Sequence, residues 1–459
     1  MKQRGRHRRR RRGRVLRGVL SGAAIALTAA ATMISASQAT VTGDGASQAA
    51  VTGDPDTARA TAAGDPGALR PLTRAAGLRE LRLTEHPLAP ASERLAATMG
   101  RPVGVRTVLA DADRPLRARA RCTAPERAAL PVSPAAARAY CWDGTDTAGW
   151  RPGAVTTSGD ADDDGRWGEN RVILSAWSRA ASAGRDPDRH TTERDGLARV
   201  AFVDANDPDR LSYTWVLLTV PSPDGRALRG LGSPASGMVW YQDKLLVTAG
   251  RADRAALYVY DMDRIHRAGP GSPGAGRLAD DPAAHDCRYV LTPVASYRLP
   301  GGSGVRRPDS VSLDRSTVPD SLAVSDWVPP GGEGRTRLWR YPFSGDPART
   351  GLLDTGPGGR VKAGEAYTSG VTGVGGVLSY DGTWYLGRPA ADGRAGHGTL
   401  WRQDTGGARP VRCGDERTRR CWSGPAASLS LGQSTGEVWS QSSRTLFAVP
   451  LGSLAPTRR

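Results

Sequence analysis

The sequence predicts an all-β fold, a β-propeller of five blades, or six if the stretch before them supplies one. Three observations lead there. The 459-residue chain carries 57 Gly and 33 Pro, residues that punctuate a chain with turns. From Gly153 onward, short apolar or alternating runs are bounded by Gly, Asp and Pro, the pattern of strands joined by tight turns. These runs recur in five blocks, roughly 50 to 75 residues apart, the spacing of an architecture built from radially repeated sheets. The 12 Trp against 3 Phe supply large rings for packing between sheets.

The segments follow in chain order. Residues 1–39 read as a secretory signal. Met1 to Arg17 holds ten Lys and Arg and no acid, charge is then absent from Gly18 to Gly43, and the apolar segment 19–36 is followed by Ser37-Gln38-Ala39. A charged head, an apolar middle and small residues before the cut are what export requires. Cleavage after Ala39 makes Thr40 the mature N-terminus, with Ala50 as second choice. An uncleaved segment would instead anchor the chain in a membrane; after cleavage no remaining apolar run is long enough to span one. Residues 40–140 read as a flexible, partly helical leader rich in Ala, Arg and Pro, with a tandem repeat at 36–44 and 46–54 and a helical stretch at 92–99. Residues 141–455 form the propeller domain.

Within that domain the first block has runs at 154–157, 171–177, 198–203 and 213–220. The second has 237–241, 245–248, 256–261 and 289–299. Three runs each make the third (310–314, 321–327, 337–341), fourth (376–380, 383–386, 399–403) and fifth (429–431, 437–440, 445–449). The segments 237–247 (GMVWYQDKLLV), 257–261 (LYVYD) and 378–386 (LSYDGTWYL) resemble those of secreted β-propeller-like proteins of high-GC Gram-positive, actinobacterial species. The resemblance covers about Trp142 to Leu451. It implies a secreted propeller and carries no catalytic residue across.

The formal charge of +17 falls to +7 once the signal is removed, and the remaining Arg are interspersed with Asp and Glu. No basic stripe of the kind a phosphate backbone needs remains, so nucleic acid is not the expected partner. The five cysteines suit an oxidising compartment; the expected bridges are Cys122 with Cys141 and Cys413 with Cys421, leaving Cys287 as a buried thiol, with a reactive or intermolecular thiol as the alternative.

Few constellations point to chemistry. Asp160, Asp162 and Asp164 before Gly165 match the opening of a calcium loop, in which alternate oxygens converge on a hard cation. Position twelve is Arg171, so the loop lacks its closing carboxylate and the expectation is no cofactor, with calcium as the one candidate. Gly432-Gln433-Ser434-Thr435-Gly436 satisfies the hydrolase string, but Glu437 to Ser440 resumes strand alternation where a nucleophile elbow requires a helix. Ser434 is therefore expected in a hairpin turn. His285-Asp286-Cys287 groups three metal-binding types on adjacent residues, which a strand points to opposite faces. Trp142, Trp150, Trp167 and Trp422 lie in or near predicted loops and are the ligand-binding candidates, since indole faces stack on sugar rings. The function expected is non-enzymatic recognition of an extracellular ligand, with cell-wall glycan as the first class. An extracellular hydrolase or lyase is the alternative, using strand-end carboxylates such as Asp286, Asp314, Asp326 and Asp381 at the propeller axis.

Overall fold

The computed structural model describes residues 66–179, 197–222, 224–250, 255–268, 286–301, 307–390, 396–411, 420–424 and 428–454. The signal segment, the tandem repeat, Cys413 and His285 lie outside the described residues. The described chain is predominantly β, in antiparallel units of about the extent the sequence blocks predict.

The first unit consists of strands Arg151–Thr157, Val172–Arg179, Leu197–Asp204 and Ser212–Pro221. The second has Met238–Tyr241, Lys244–Thr248, Ala255–Arg267 and Tyr289–Arg298. Both belong to one 12-stranded sheet, because Tyr289 to Leu291 pairs in parallel with Val216 to Leu218. Register shifts between Val259 and Ile265 bend the long third strand of the second unit, the local effect of a β-bulge. The third unit is Ser310–Asp314, Ser321–Ser325, Thr336–Pro342 and Ala366–Ser369. The fourth is Gly376–Tyr380, Thr383–Arg388, Thr399–Asp404 and Gly407–Pro410. In the last unit Ser430–Gly432, Glu437–Ser442 and Thr445–Pro450 are completed by Arg138–Cys141, a strand from before the first unit.

The leading strands make a ring. Arg151–Thr157 packs on Met238–Tyr241, which packs on Ser310–Asp314; this in turn meets Gly376–Tyr380 and Ser430–Gly432, and the last returns to Arg151–Thr157. Five hydrophobic clusters lie between successive units, first against second, second against third, third against fourth, fourth against fifth and fifth against first. A strand so placed is covered on both faces. In Val172–Arg179, Val172, Leu174 and Ala176 point into the first cluster while Ile173 and Trp177 point into the one shared with the fifth unit. Period-two geometry thus feeds two cores from one strand, which is why the sequence shows apolar runs rather than strict alternation. The arrangement is propeller-like.

Local chemistry fixes the turns and the close approaches. Asp381 and Gly382, with φ of 48° and 71°, form the two-residue hairpin between Tyr380 and its partner Thr383, a turn that needs two positive φ values. Gly153 lets the first unit approach the second: a Cβ there would stand 2.5 Å from the Ala235 carbonyl oxygen, while Ala154 N–H donates to that same oxygen at 2.9 Å. Gly153→Ala is therefore expected to lower stability by about 2 kcal/mol, read from urea denaturation midpoints.

The stretch expected to be a flexible leader is built into the sheets from Pro66 onward. Arg70–Pro71 pairs with Ala366–Ser369, and Leu83–Pro87 with Tyr289–Arg298. Arg114–Pro115 pairs with Ser212–Pro221, and Arg117–Ala118 with Arg138–Cys141. Such short strands are held by main-chain bonds and need little apolar sequence, so composition alone does not reveal them. The helix expected near residues 92–99 is present as Ala89–Ala96 and the 3₁₀ turn Ala97–Met99. No described helix is long and apolar enough to cross a membrane.

Candidate ligand-binding site

A cavity of about 640 Å³ opens where the fifth unit meets the first. Three segments line it, together with Arg117 and Trp177: the loop inside the Cys122–Cys141 disulfide, residues 143–152 leading into the first strand, and the Ser443–Arg444 turn of the last unit. That disulfide is one of the two bridges expected from the sequence. Cys421 is disulfide-bonded, and its expected partner Cys413 lies outside the described residues.

Each wall has a local cause. Thr123 and Glu126 make a reciprocal capping box, with Thr123 N–H donating to Glu126 Oε2 at 2.7 Å and so satisfying a free helix-start donor. Arg117 Nη2 donates to Glu126 Oε1 at 2.6 Å and to the Trp142 carbonyl at 2.9 Å, tying this loop to the fifth unit's outer strand. Burial works against the charge on Glu126, yet its bonds from Arg117 and Thr123 hold the carboxyl below its usual value. Asp143 Oδ1 accepts from the N–H groups of Thr145 and Asp146 at 2.8 and 3.0 Å. These backbone donors, chiefly that of Asp146, keep its carboxyl low as well. Both acids are thus ionised groups already supplied with donors.

The floor is aromatic. Trp150 and Trp177 line the cavity, and Trp150 is 8% exposed. Behind Trp150 lies the fully buried Arg199, whose guanidinium carbon sits 3.9 Å from the Trp150 ring centre and 3.6 Å from that of Trp215. Desolvation lowers the Arg199 pKa to about 10. Trp142, Trp177, Tyr213 and Trp215 complete the cluster at centroid separations between 4.8 and 6.3 Å.

Of the four candidate tryptophans, only Trp150 lines this cavity. Trp142 and Trp422 are 0% and 1% exposed, so neither has a ring face for a ligand; both are packing residues, an arrangement that large apolar rings favour even from loops. Trp167 is half-buried against Trp240 at 5.2 Å. Sequence reasoning missed Trp177, Arg199, Arg117, Thr147 and Arg444. The 19-residue spacing of Cys122 and Cys141 was the one available signal, because it draws the loop back over the strand entry.

The three aspartates of the calcium expectation do not converge. Asp160 is buried and accepts from the hydroxyls of Thr156 at 2.6 Å and Ser430 at 2.8 Å. Asp162 and Asp164 are exposed and receive backbone N–H groups two residues onward. The one group of close metal-ligand atoms among the described residues is Cys122, Glu126 and Cys141, two of which are the disulfide.

The strand-end carboxylates are likewise dispersed. Asp314 pairs with Arg340 at 3.0 Å, Asp326 accepts the Arg337 N–H at 2.8 Å, and Asp286 and Asp381 are exposed. Cys287 is buried, and burial pushes its thiol up to about 12, leaving it neutral. Ser434 stands in the hairpin turn, exposed. It borders a second cavity of about 390 Å³ at the other ends of the same strands, with Ser158, Tyr140 and Trp439.

No protein-family model and no curated protein matches the chain. Among solved structures, extracellular domains 1–2 of Drosophila semaphorin 1a are similar at 11% identity and a TM-score of 0.20, over 68% of this chain. The chain spans 58% of that structure's length.

Proposed function

We propose that the chain is a secreted five-bladed β-propeller acting as a non-enzymatic binding module, with its ligand in the cavity beside Trp150. Five units and five inter-unit cores support the blade number. The signal-like head and the Cys122–Cys141 disulfide support an extracellular location, since such bridges persist in oxidising compartments.

The observation that carries the binding reading is the composition of the cavity: an indole floor under a rim of Arg117, Thr123, Glu126, Asp143 and Arg444. Few polar groups around an apolar surface are what orient a small ligand. The same geometry disfavours acid–base catalysis at this site, because Glu126 and Asp143 are held below their usual pKa range and a general acid or base works best when its pKa lies near the working pH. Cell-wall glycan is the first ligand class, since sugar rings stack on indole.

The test incubates mature protein with peptidoglycan and soluble polysaccharides, with and without calcium, and follows both retention and product release. Saturable retention without product is expected. Trp150→Ala should weaken it about tenfold, in line with the loss of an aromatic anchor. Turnover abolished by replacing Glu126 or Asp143 would overturn this reading in favour of a hydrolase or lyase.

A further inference from the structure

We propose that Arg199 is the anion-reading element of this cavity, so that the ligand carries an oxyanion, carboxylate or phosphate, and shifts Trp150 to reach the guanidinium. The inference rests on the binding reading above and narrows it to a charge class.

The charge balance around Arg199 motivates it. Asp146 is the carboxylate beside it, and both of its oxygens are engaged. Oδ1 takes the ion pair from Arg114. Oδ2 accepts from the Tyr213 hydroxyl at 2.6 Å and the Trp215 indole N–H at 2.9 Å. Among the described residues Arg199 donates only to the Asp146 backbone carbonyl, through Nη2 at 2.6 Å. Its Nε and Nη1 are buried and have no partner among the described residues. Cys287, its other close neighbour, stays a neutral thiol, and Asp286 is exposed without a hydrogen bond to it.

Asp146 thus gives its carboxylate to Arg114, the exposed Asp286 acts on Arg199 only at a distance, and the guanidinium is buried among aromatic rings without an ion pair of its own. Such a charge is costly unless paired. The indoles of Trp150 and Trp215 offset part of that cost through their faces, but faces do not satisfy N–H donors at the edge of the guanidinium plane. An oxyanion satisfies both the charge and the donors, and arginine is the side chain best shaped to take one. Trp150 is the partition: one side of its ring lines the cavity and the other carries Arg199. It follows Gly149, whose φ of 75° marks the turn that carries the indole.

The experiment uses full-length mature protein, with sodium phosphate and sodium glucuronate as probes and sodium chloride at matched ionic strength as reference. Tryptophan fluorescence and thermal melting are recorded for wild type, Arg199→Met and Arg199→Lys. Wild type should show a saturable fluorescence change and a rise in Tm with at least one probe, and the stronger probe identifies phosphate or carboxylate as the ligand group. Arg199→Met should lose both responses and melt at or above wild type in chloride, because it removes an unpaired buried charge. Arg199→Lys should bind about tenfold more weakly, and it keeps the proposal testable should the Met variant fail to fold. No anion response in wild type, or a response undiminished in both variants, overturns the inference. Retention of neutral glycan without any anion response overturns this inference alone and leaves the binding reading standing. An anion response without retention of any glycan supports Arg199 and removes the glycan reading.

Discussion

Replacing Cys122 and Cys141 together by serine is expected to lower stability by roughly 3 kcal/mol, the figure for a bridge closing a loop of about 20 residues, and to abolish retention of the ligand. The bridge connects the 3₁₀ turn Arg119–Arg121 to the end of Arg138–Cys141, the strand that completes the fifth unit. Without it the loop carrying Thr123 and Glu126 is held to the sheet by Arg117 and a few main-chain bonds. Its return over the cavity then incurs a loop-closure entropy that the oxidised protein has already met. Urea denaturation with and without reductant, beside the retention assay, checks both halves. A reduced protein as stable and as retentive as the oxidised one would contradict the assignment.

Asp160→Asn is expected to remove a pH dependence of similar size. The Asp160 carboxyl is buried, and desolvation raises its pKa to about 6 although the Thr156 and Ser430 hydroxyls and the Arg315 charge pull the other way. The folded protein therefore holds this proton more tightly than the unfolded chain, whose carboxyl titrates near 3.9. Stability from this group is fully present below pH 4 and is lost as pH rises through 6, by about 3 kcal/mol in all. Asn offers an oxygen to the same two hydroxyls and carries no charge. The variant should match wild type near pH 4 and exceed it at pH 7. Arg315 is the charged group on the facing side: it donates to the Asp160 carbonyl at 2.6 Å and bonds Asp163 and Asp320 at 2.5 and 3.4 Å. Melting curves from pH 4 to 8 for both proteins decide it, and parallel profiles would contradict the expectation.

The strands of the five units were legible in the sequence because each carries enough apolar residues to feed two cores. Ala366–Ser369 and Gly407–Pro410 were not, since AYTS and GARP are short segments with little apolar sequence whose pairing is backbone work. The same holds for the early strands Arg70–Pro71 and Leu83–Pro87, which reach sheets more than 200 residues away. Loop position misled for Trp142 and Trp422. Trp142 N–H bonds the Arg444 carbonyl, and Trp422 makes a bridge with Gly398, contacts that turn a loop indole inward and depend on partners distant in sequence. Arg199 reads as one more polar residue in ARVAFVD. Only the register that sets it opposite Trp177, with Trp215 on the same face, shows it as a cation between rings.

The sheet that joins Thr445–Pro450 to Arg138–Cys141 bears on how the protein comes to exist at all. Because the last described strand must find a partner laid down some 300 residues earlier, the ring cannot close before residues 445–450 have been made. Until then Arg138–Cys141 offers an open strand edge, of the kind that invites pairing with other chains. Long-range pairings of this sort also form slowly. A product ending before Thr445 would keep that edge permanently and should be recognised as defective by any protease that samples open sheets. The joint thus works as a check that the fifth unit is whole, passed only by a chain that carries Thr445–Pro450.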